Sequence, residues 1–450
     1  MRNFKKITSF FLAMVMCLSL CVPALAEEEA ASTARLLEDF KEIAQEVDYT
    51  DEALMPYIQE LASRADEFTD QELISMIADN SEDADYRRGL LETYLSKYDF
   101  CITDAVFLDL LQDPQFDDGM KMLIIVCLEG DLLNNPRLRE ILIDLSDSTN
   151  PVLAYHAIKG LTRVDMEKAL EISYDVLENM DTECDEKVNI ALNVLAMNYP
   201  QIEAATYTST EDSSFIGYLC GIYADSDSQE IKTSVLLSLE LMDTADATAA
   251  REYLLSVTPS PCADGAGGYA AYRDGVGSSG SSSSSSGNLT WHAAIVTSGV
   301  GSSATYVEAS GPDYNVRTVN YNTFLNGQNF MGYYQPSSLS SYGTIQRNYV
   351  VSSALTMANL HIPYVFFTMI EYYSIPSSQT HYKMTDIKTI RCDGVVEFCF
   401  ETNGIRVCGP SSNSSWDITM NNSLAQTRHA GFALTPKEQA QSYMTRVNLT

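Results

Sequence analysis

Cys392 has the neighbourhood a nucleophilic thiol needs. It opens a short amphipathic run, Cys392-Asp-Gly-Val-Val-Glu-Phe-Cys-Phe-Glu401, that Asn403-Gly404 brings to a stop. Asp393 and Gly394 suit a first helical turn, and Asn or Gly beyond the last turn tolerates the left-handed cap. A thiol at a helix N-terminus meets free backbone N–H groups and the positive end of the macrodipole, and both favour the thiolate. The alternative is a small packing residue in a buried helix. Attack on a carbonyl also requires a base within hydrogen-bond reach and a group to orient that base. His292, His361, His381 and His429 are the imidazoles in the second part of the chain. A hairpin centred near Val300 sets Glu308 opposite His292 on one face, where the carboxylate fixes the tautomer and supports the imidazolium. His429 follows the cysteine and competes for the base role, but no hairpin accompanies it. His361 and His381 have no partner that the sequence names.

The elements that position these groups change period along the chain. Trp291–Val296 and Thr305–Ala309 read as strands joined by a Gly- and Ser-rich turn, and Val316–Val319 as another after Gly311-Pro312. Gly268–Val276 is a further short strand, so the serine run at 277–287 is a loop between two strands. Tyr349–Leu360 is expected to be a helix and Ile362–Phe367 a buried apolar segment. Strands first and helices later indicate an α+β class for 261–450.

Trp291-His-Ala-Ala-Ile-Val, Tyr306-Val-Glu-Ala-Ser-Gly-Pro, Val316-Arg-Thr-Val and Phe324-Leu resemble the histidine half of the NlpC-type papain-like cysteine peptidases. Ile362-Pro-Tyr-Val-Phe-Phe and the Cys392 run resemble the cysteine half. The histidine half comes first here, as in the circularly permuted branch related to the lecithin:retinol acyltransferase group. The resemblance covers roughly 268–407 and implies Cys392 as nucleophile, His292 as base and Glu308 as the third polar residue. It also implies Tyr364 as the tyrosine beside the active site. Two departures stand out: Asp393 replaces the usual serine, and Phe366-Phe367 replaces a Trp-Gly-Gly. A carboxylate beside the sulfur raises a thiol's pKa. The activity implied is an exported cysteine hydrolase acting through an acyl-enzyme, on cell-wall peptide bonds first. Lipid-directed acyl hydrolysis or transfer is an alternative, as is a non-catalytic binding protein.

The first part of the chain differs in kind. Residues 27–260 hold 50 Asp and Glu against 15 Lys and Arg, whereas 261–450 hold 11 against 10. Helix-like segments starting near Asp118, Asn150, Glu186 and Glu230 recur at intervals of 32 to 44 residues. They resemble degenerate HEAT- or TPR-type pairs, giving a multidomain chain with an all-α solenoid ahead of the α+β domain. Such a surface can dock a protein partner, while its acidity argues against nucleic acid or an anionic membrane. His156 there is read as structural. Residues 1–26 read as a secretory signal, with Arg2, Lys5 and Lys6 before an apolar stretch and Ala24-Leu-Ala26 as the cleavage site. The protein is therefore expected outside the cell or in its envelope, without a membrane span. Eight cysteines remain beyond this signal. Cys392 and Cys399 lie about 10 Å apart along one helix, beyond disulfide reach, while Cys408 could approach either. No phosphate-binding glycine loop or metal-ligand spacing is present, so no cofactor is expected.

Overall fold

The computed structural model describes residues 33–46, 54–199, 215–257, 264–274, 291–310, 315–431 and 434–449. The signal segment, the serine run and the boundary expected at Pro261 lie outside these residues. The described residues up to 257 are mainly helical, and those from 264 on form antiparallel sheets with their own helices. Among the described residues no helix is long and apolar enough to cross a membrane.

The recurring segments fold as the helices Asp118–Cys127, Pro151–Val164, Asp185–Met197 and Gln229–Leu241. Their starts follow local rules. Asp117 accepts from the Met120 N–H, Asn150 caps Val152 and Leu153 ahead of Pro151, and Ser228 caps Ile231. The helices between them, such as Pro136–Ser146 and Met166–Glu178, bury a single stripe. Asp118–Cys127 and the central turns of Asp185–Met197 are instead buried all round. Neighbouring helices cover one side, and the sheet region covers the other.

Eight strands are present among the described residues: β1 (Ala270–Asp274), β2 (Trp291–Ser298), β3 (Thr305–Ser310), β4 (Asn315–Asn320), β5 (Asn329–Pro336), β6 (Ile370–Tyr372), β7 (Ile387–Ile390) and β8 (Met444–Val447). Six form one antiparallel sheet in the order β4-β3-β2-β1-β5-β8, and β6 pairs with β7. The expected helix near 349–360 spans Thr344–Asn359, and Ile362–Phe367 is buried as expected. One side of the sheet carries Ala293, Ile295, Val307 and Ala309, in the same core cluster as Cys392 and Phe398. The other carries Ala294, Val296 and Tyr306, which pack with Phe324 of the short helix Tyr321–Leu325 in a smaller core.

The larger core runs without a break from Leu36 through the helices into the sheet region. Buried polar groups join the two regions across it. Asn189 Nδ2 donates to the Asn359 carbonyl at 2.6 Å, and Asn359 Nδ2 donates to the Glu230 carbonyl at 2.7 Å. His156, read as structural, has its Nε2 2.9 Å from the His361 carbonyl. Lys388 on β7 donates to the Phe100 carbonyl at 2.9 Å and pairs with Glu129 at 3.2 Å. Satisfied groups of this kind fix register between two packed bodies, because sliding either one would orphan them.

Candidate functional site around Cys392

β7 runs directly into the helix Cys392–Glu401, so a strand-to-helix junction sets the position of Cys392. The segment before β6 clamps that junction: Ile390 N–H donates to the Pro363 carbonyl, Val365 N–H to Ile390, and Arg391 N–H to Met369. Gly394 is required here, since a Cβ would overlap the Met369 carbonyl and Ile390. The helical region grips the same segment from behind. Arg88 Nη2 donates to the Tyr364 carbonyl at 2.8 Å, and Phe366 N–H donates to Glu92 Oε2 at 3.0 Å. Arg88 and Glu92 are themselves a buried pair on one helix face.

Asp393 has a structural account. Arg391 holds it through two parallel bonds of 2.8 and 2.9 Å and donates further to the Phe366, Gly431 and Leu434 carbonyls. The fork satisfies a guanidinium and a carboxylate that are both almost fully buried. A serine could not do this.

The thiol is 3% exposed, and burial pushes it up to about 12, with the Asp393 charge adding to the rise. The Ala293 N–H and the Arg391 and Arg273 charges pull the other way and do not win. The thiolate expected from the helix N-terminus is therefore overturned: desolvation outweighs the macrodipole, and Cys392 is a neutral thiol at neutral pH.

His292 and Glu308 meet as expected, with Nε2 2.9 Å from Oε2. The register differs from the expectation. Ile295 pairs with Val307 and Val296 with Tyr306, a register that sets the partner of His292 two residues beyond Glu308, with a bulge between Val296 and Ser298. Two residues preserve the face, and Glu308 reaches His292 diagonally. Arg317, directly across β4 from Glu308, donates to its other oxygen at 3.3 Å. Burial raises Glu308, but the His292 bond and charge together with Arg273 and Arg317 outweigh it, and its carboxyl sits below the ordinary range. An ionised Glu308 can only accept, so the His292 proton is on Nε2 and the lone pair on Nδ1. Burial and then the Arg273 charge lower His292, which is a neutral ring at pH 7.

Cys392 and His292 are neighbours without being bonded. The sulfur meets the N–H of Ala293, the residue after His292. The imidazole follows the strand's alternation to the side of Phe324, its ring centroid 6.0 Å away, while Ala293 faces the cysteine helix. Among the described residues no hydrogen bond links the sulfur to the ring. Tyr364, which the resemblance sets beside the active site, is buried; burial and then the neighbouring Cys392 raise its hydroxyl, and its ring packs edge-on to Phe366.

His429 is engaged elsewhere. Nδ1 is 2.7 Å from the Ala425 carbonyl and Nε2 3.0 Å from Glu397 Oε1. Cys408 donates to the other Glu397 oxygen at 3.3 Å, and Gln439 joins Glu397 to the Asp393 carbonyl and to the Tyr272 hydroxyl. Cys408 thus bonds a carboxylate, Cys399 lies against Met357, and the described cysteines are all free thiols. The sequence reading missed Arg273, Arg317, the Arg391–Asp393 fork and Glu397. Arg317 was within reach, since Gly311-Pro312 marks a turn that sets it across from Glu308. Against known protein families, curated proteins and solved structures, the chain has no match.

Proposed function

We propose that this chain is an exported cysteine hydrolase: a permuted NlpC-type papain-like domain carried by an α-solenoid of degenerate helix pairs. Cys392 attacks an amide or ester carbonyl, with cell-wall peptides as the first substrate class. The observation that carries the reading is the Arg317–Glu308–His292 chain across β4, β3 and β2, which ends on the strand that contacts Cys392. It leaves an Nδ1 lone pair on the residue adjoining the one that contacts the thiol.

With a neutral thiol and a neutral ring, proton transfer from Sγ to Nδ1 accompanies attack on the carbonyl. Glu308 then stabilises the imidazolium that forms. The ring lies on the opposite side of β2 from the sulfur, so side-chain rotation alone does not join them, and the reading requires the start of β2 to rearrange when substrate binds. The Nδ1 proton passes to the leaving group, and water releases the acyl-enzyme by the reverse path.

A second reading, a non-catalytic interaction protein, is favoured by the 3% exposure of Cys392 and its thiol near 12. Iodoacetamide at neutral pH separates the two. The hydrolase reading expects Cys392 to alkylate faster than Cys399, which is fully buried against Met357, and His292→Ala to abolish the difference. Equal rates at the two thiols would leave the interaction protein. Digestion of purified peptidoglycan by wild type and Cys392→Ala then tests the substrate class, and equal product from both would remove this site as its source.

A further inference from the structure

Glu186, Glu230 and His361 come from three distant stretches of chain, yet each brings a metal-ligating atom within 4.8 Å of the other two. We propose that they form a divalent-cation site, of the zinc type, that staples the helical region to the sheet region. Glu186 sits in the first turn of Asp185–Met197 and Glu230 in the first turn of Gln229–Leu241, two helices packed side by side. His361 lies in the turn after the helix Thr344–Asn359.

The turn is held so that its ring points at the carboxylates. Asn359 is fixed at both its side chain and its carbonyl, and the His361 carbonyl lies on His156 Nε2. The Tyr155 ring stands edge-on to the His361 ring at 5.1 Å. His361 itself takes φ 43°, a left-handed conformation that is costly for a residue with a Cβ.

Two of the three ligating atoms make no hydrogen bond among the described residues. His361 Nε2 and Glu230 Oε1 are buried and, among the described residues, neither has a hydrogen-bond partner. They stand 3.7 Å apart, too far for a hydrogen bond between them. A tetrahedral ion with bonds of about 2.0–2.2 Å separates its ligand atoms by about 3.4 Å, so one cation satisfies both with little movement.

The donor set selects the metal. The donor set is two carboxylate oxygens and an imidazole nitrogen, and the imidazole favours zinc-type ions over magnesium or calcium, which prefer oxygen. A water completes the coordination. The sequence shows no spacing motif because neither carboxylate is near the histidine along the chain.

The test is calorimetric titration of the metal-stripped full chain with zinc chloride, with magnesium and calcium as comparisons. One equivalent of zinc should bind and raise the melting temperature, and the other two ions should not. Loss of a ligand should weaken binding at least about 100-fold. His361→Asn keeps a residue that tolerates the left-handed turn, and Glu230→Gln and Glu186→Gln remove one charge each. All three positions are partly exposed, and Glu186→Gln, at a side chain outside the His361–Glu230 pair, gives a readout even if either of the other variants misfolds. Cobalt substitution should give no thiolate-to-metal absorption, which separates this site from the free cysteines. No stoichiometric zinc, unchanged affinity in the folded variants, or a thiolate band would each overturn the proposal.

Discussion

Two buried histidine–glutamate pairs lie in the sheet region, and they differ in what is left over. His292 gives Nε2 to Glu308 and keeps Nδ1 available, whereas His429 has an acceptor at both nitrogens. Two acceptors require two N–H groups, so His429 is an imidazolium. Burial lowers it, but the Glu397 charge and hydrogen bond with the Ala425 carbonyl hold it above the ordinary value. His292, with Arg273 and Arg317 beside its carboxylate, goes the other way. Similar pairs thus leave an unshared lone pair in one place and a ring that donates at both nitrogens in the other, and the partner of the second nitrogen decides which.

Substitutions at the reacting groups should break this comparison most sharply. Cys392→Ala and His292→Ala should each lower kcat/KM on an activated acyl ester by about 10³-fold or more, while folded His429→Gln stays within about tenfold of wild type. Equal losses at His292 and His429 would erase the distinction. Glu308→Gln should cost about 10²- to 10⁴-fold, because the tautomer is no longer fixed, and the equivalent change at Glu397 should act on folding instead.

Stability should reverse the ranking. His429→Gln strands the Glu397 charge in the core and should cost about 3–5 kcal/mol in urea unfolding. His292→Gln should cost less than about 2 kcal/mol, since Arg317 still bonds Glu308. A smaller cost at His429 would show that the pair is not ionised.

The finest distinction is in pH. Relative to the ordinary 6.5, His429 is raised, so its stabilisation is full below 6.5 and lost as pH climbs through its folded value. His292 is lowered, so its contribution is full above 6.5 and lost as pH falls through its folded value. Ring-proton NMR should show the two titrating on opposite sides of 6.5, and the acid limb of activity should follow His292.

Local rules carried much of this fold into the sequence. The Cys392 helix starts where its residues imply, and three of the recurring helices carry side-chain caps. The pairing of His292 with Glu308 survived a register shift because strands alternate by two. What failed depended on the environment. A helix N-terminus favours a thiolate only where water or a nearby cation supports the charge, and nothing near Cys392 in sequence announces its burial. β5 and β8 went unread because their pairing partners are distant in the chain. The recurring helices signalled repeats, yet buried Lys121, Asn189 and Ser234 in their interiors mark the side packed toward other elements.

The grip of Arg88 and Glu92 on the Tyr364–Phe366 backbone spans 276 and 274 residues of chain. Such distant contacts set an order of assembly. Whether from the ribosome or from an export channel, the N-terminal part emerges and folds first, so the helix bearing this ion pair forms ahead of the Tyr364 segment. The groups that will meet the later backbone are then already aligned, and the entropy of closing that long loop is incurred once, by docking. The acidic helices thereby act as a template on which the cysteine segment is shaped, and a chain expressed without them should reach the same local elements but hold Cys392 loosely.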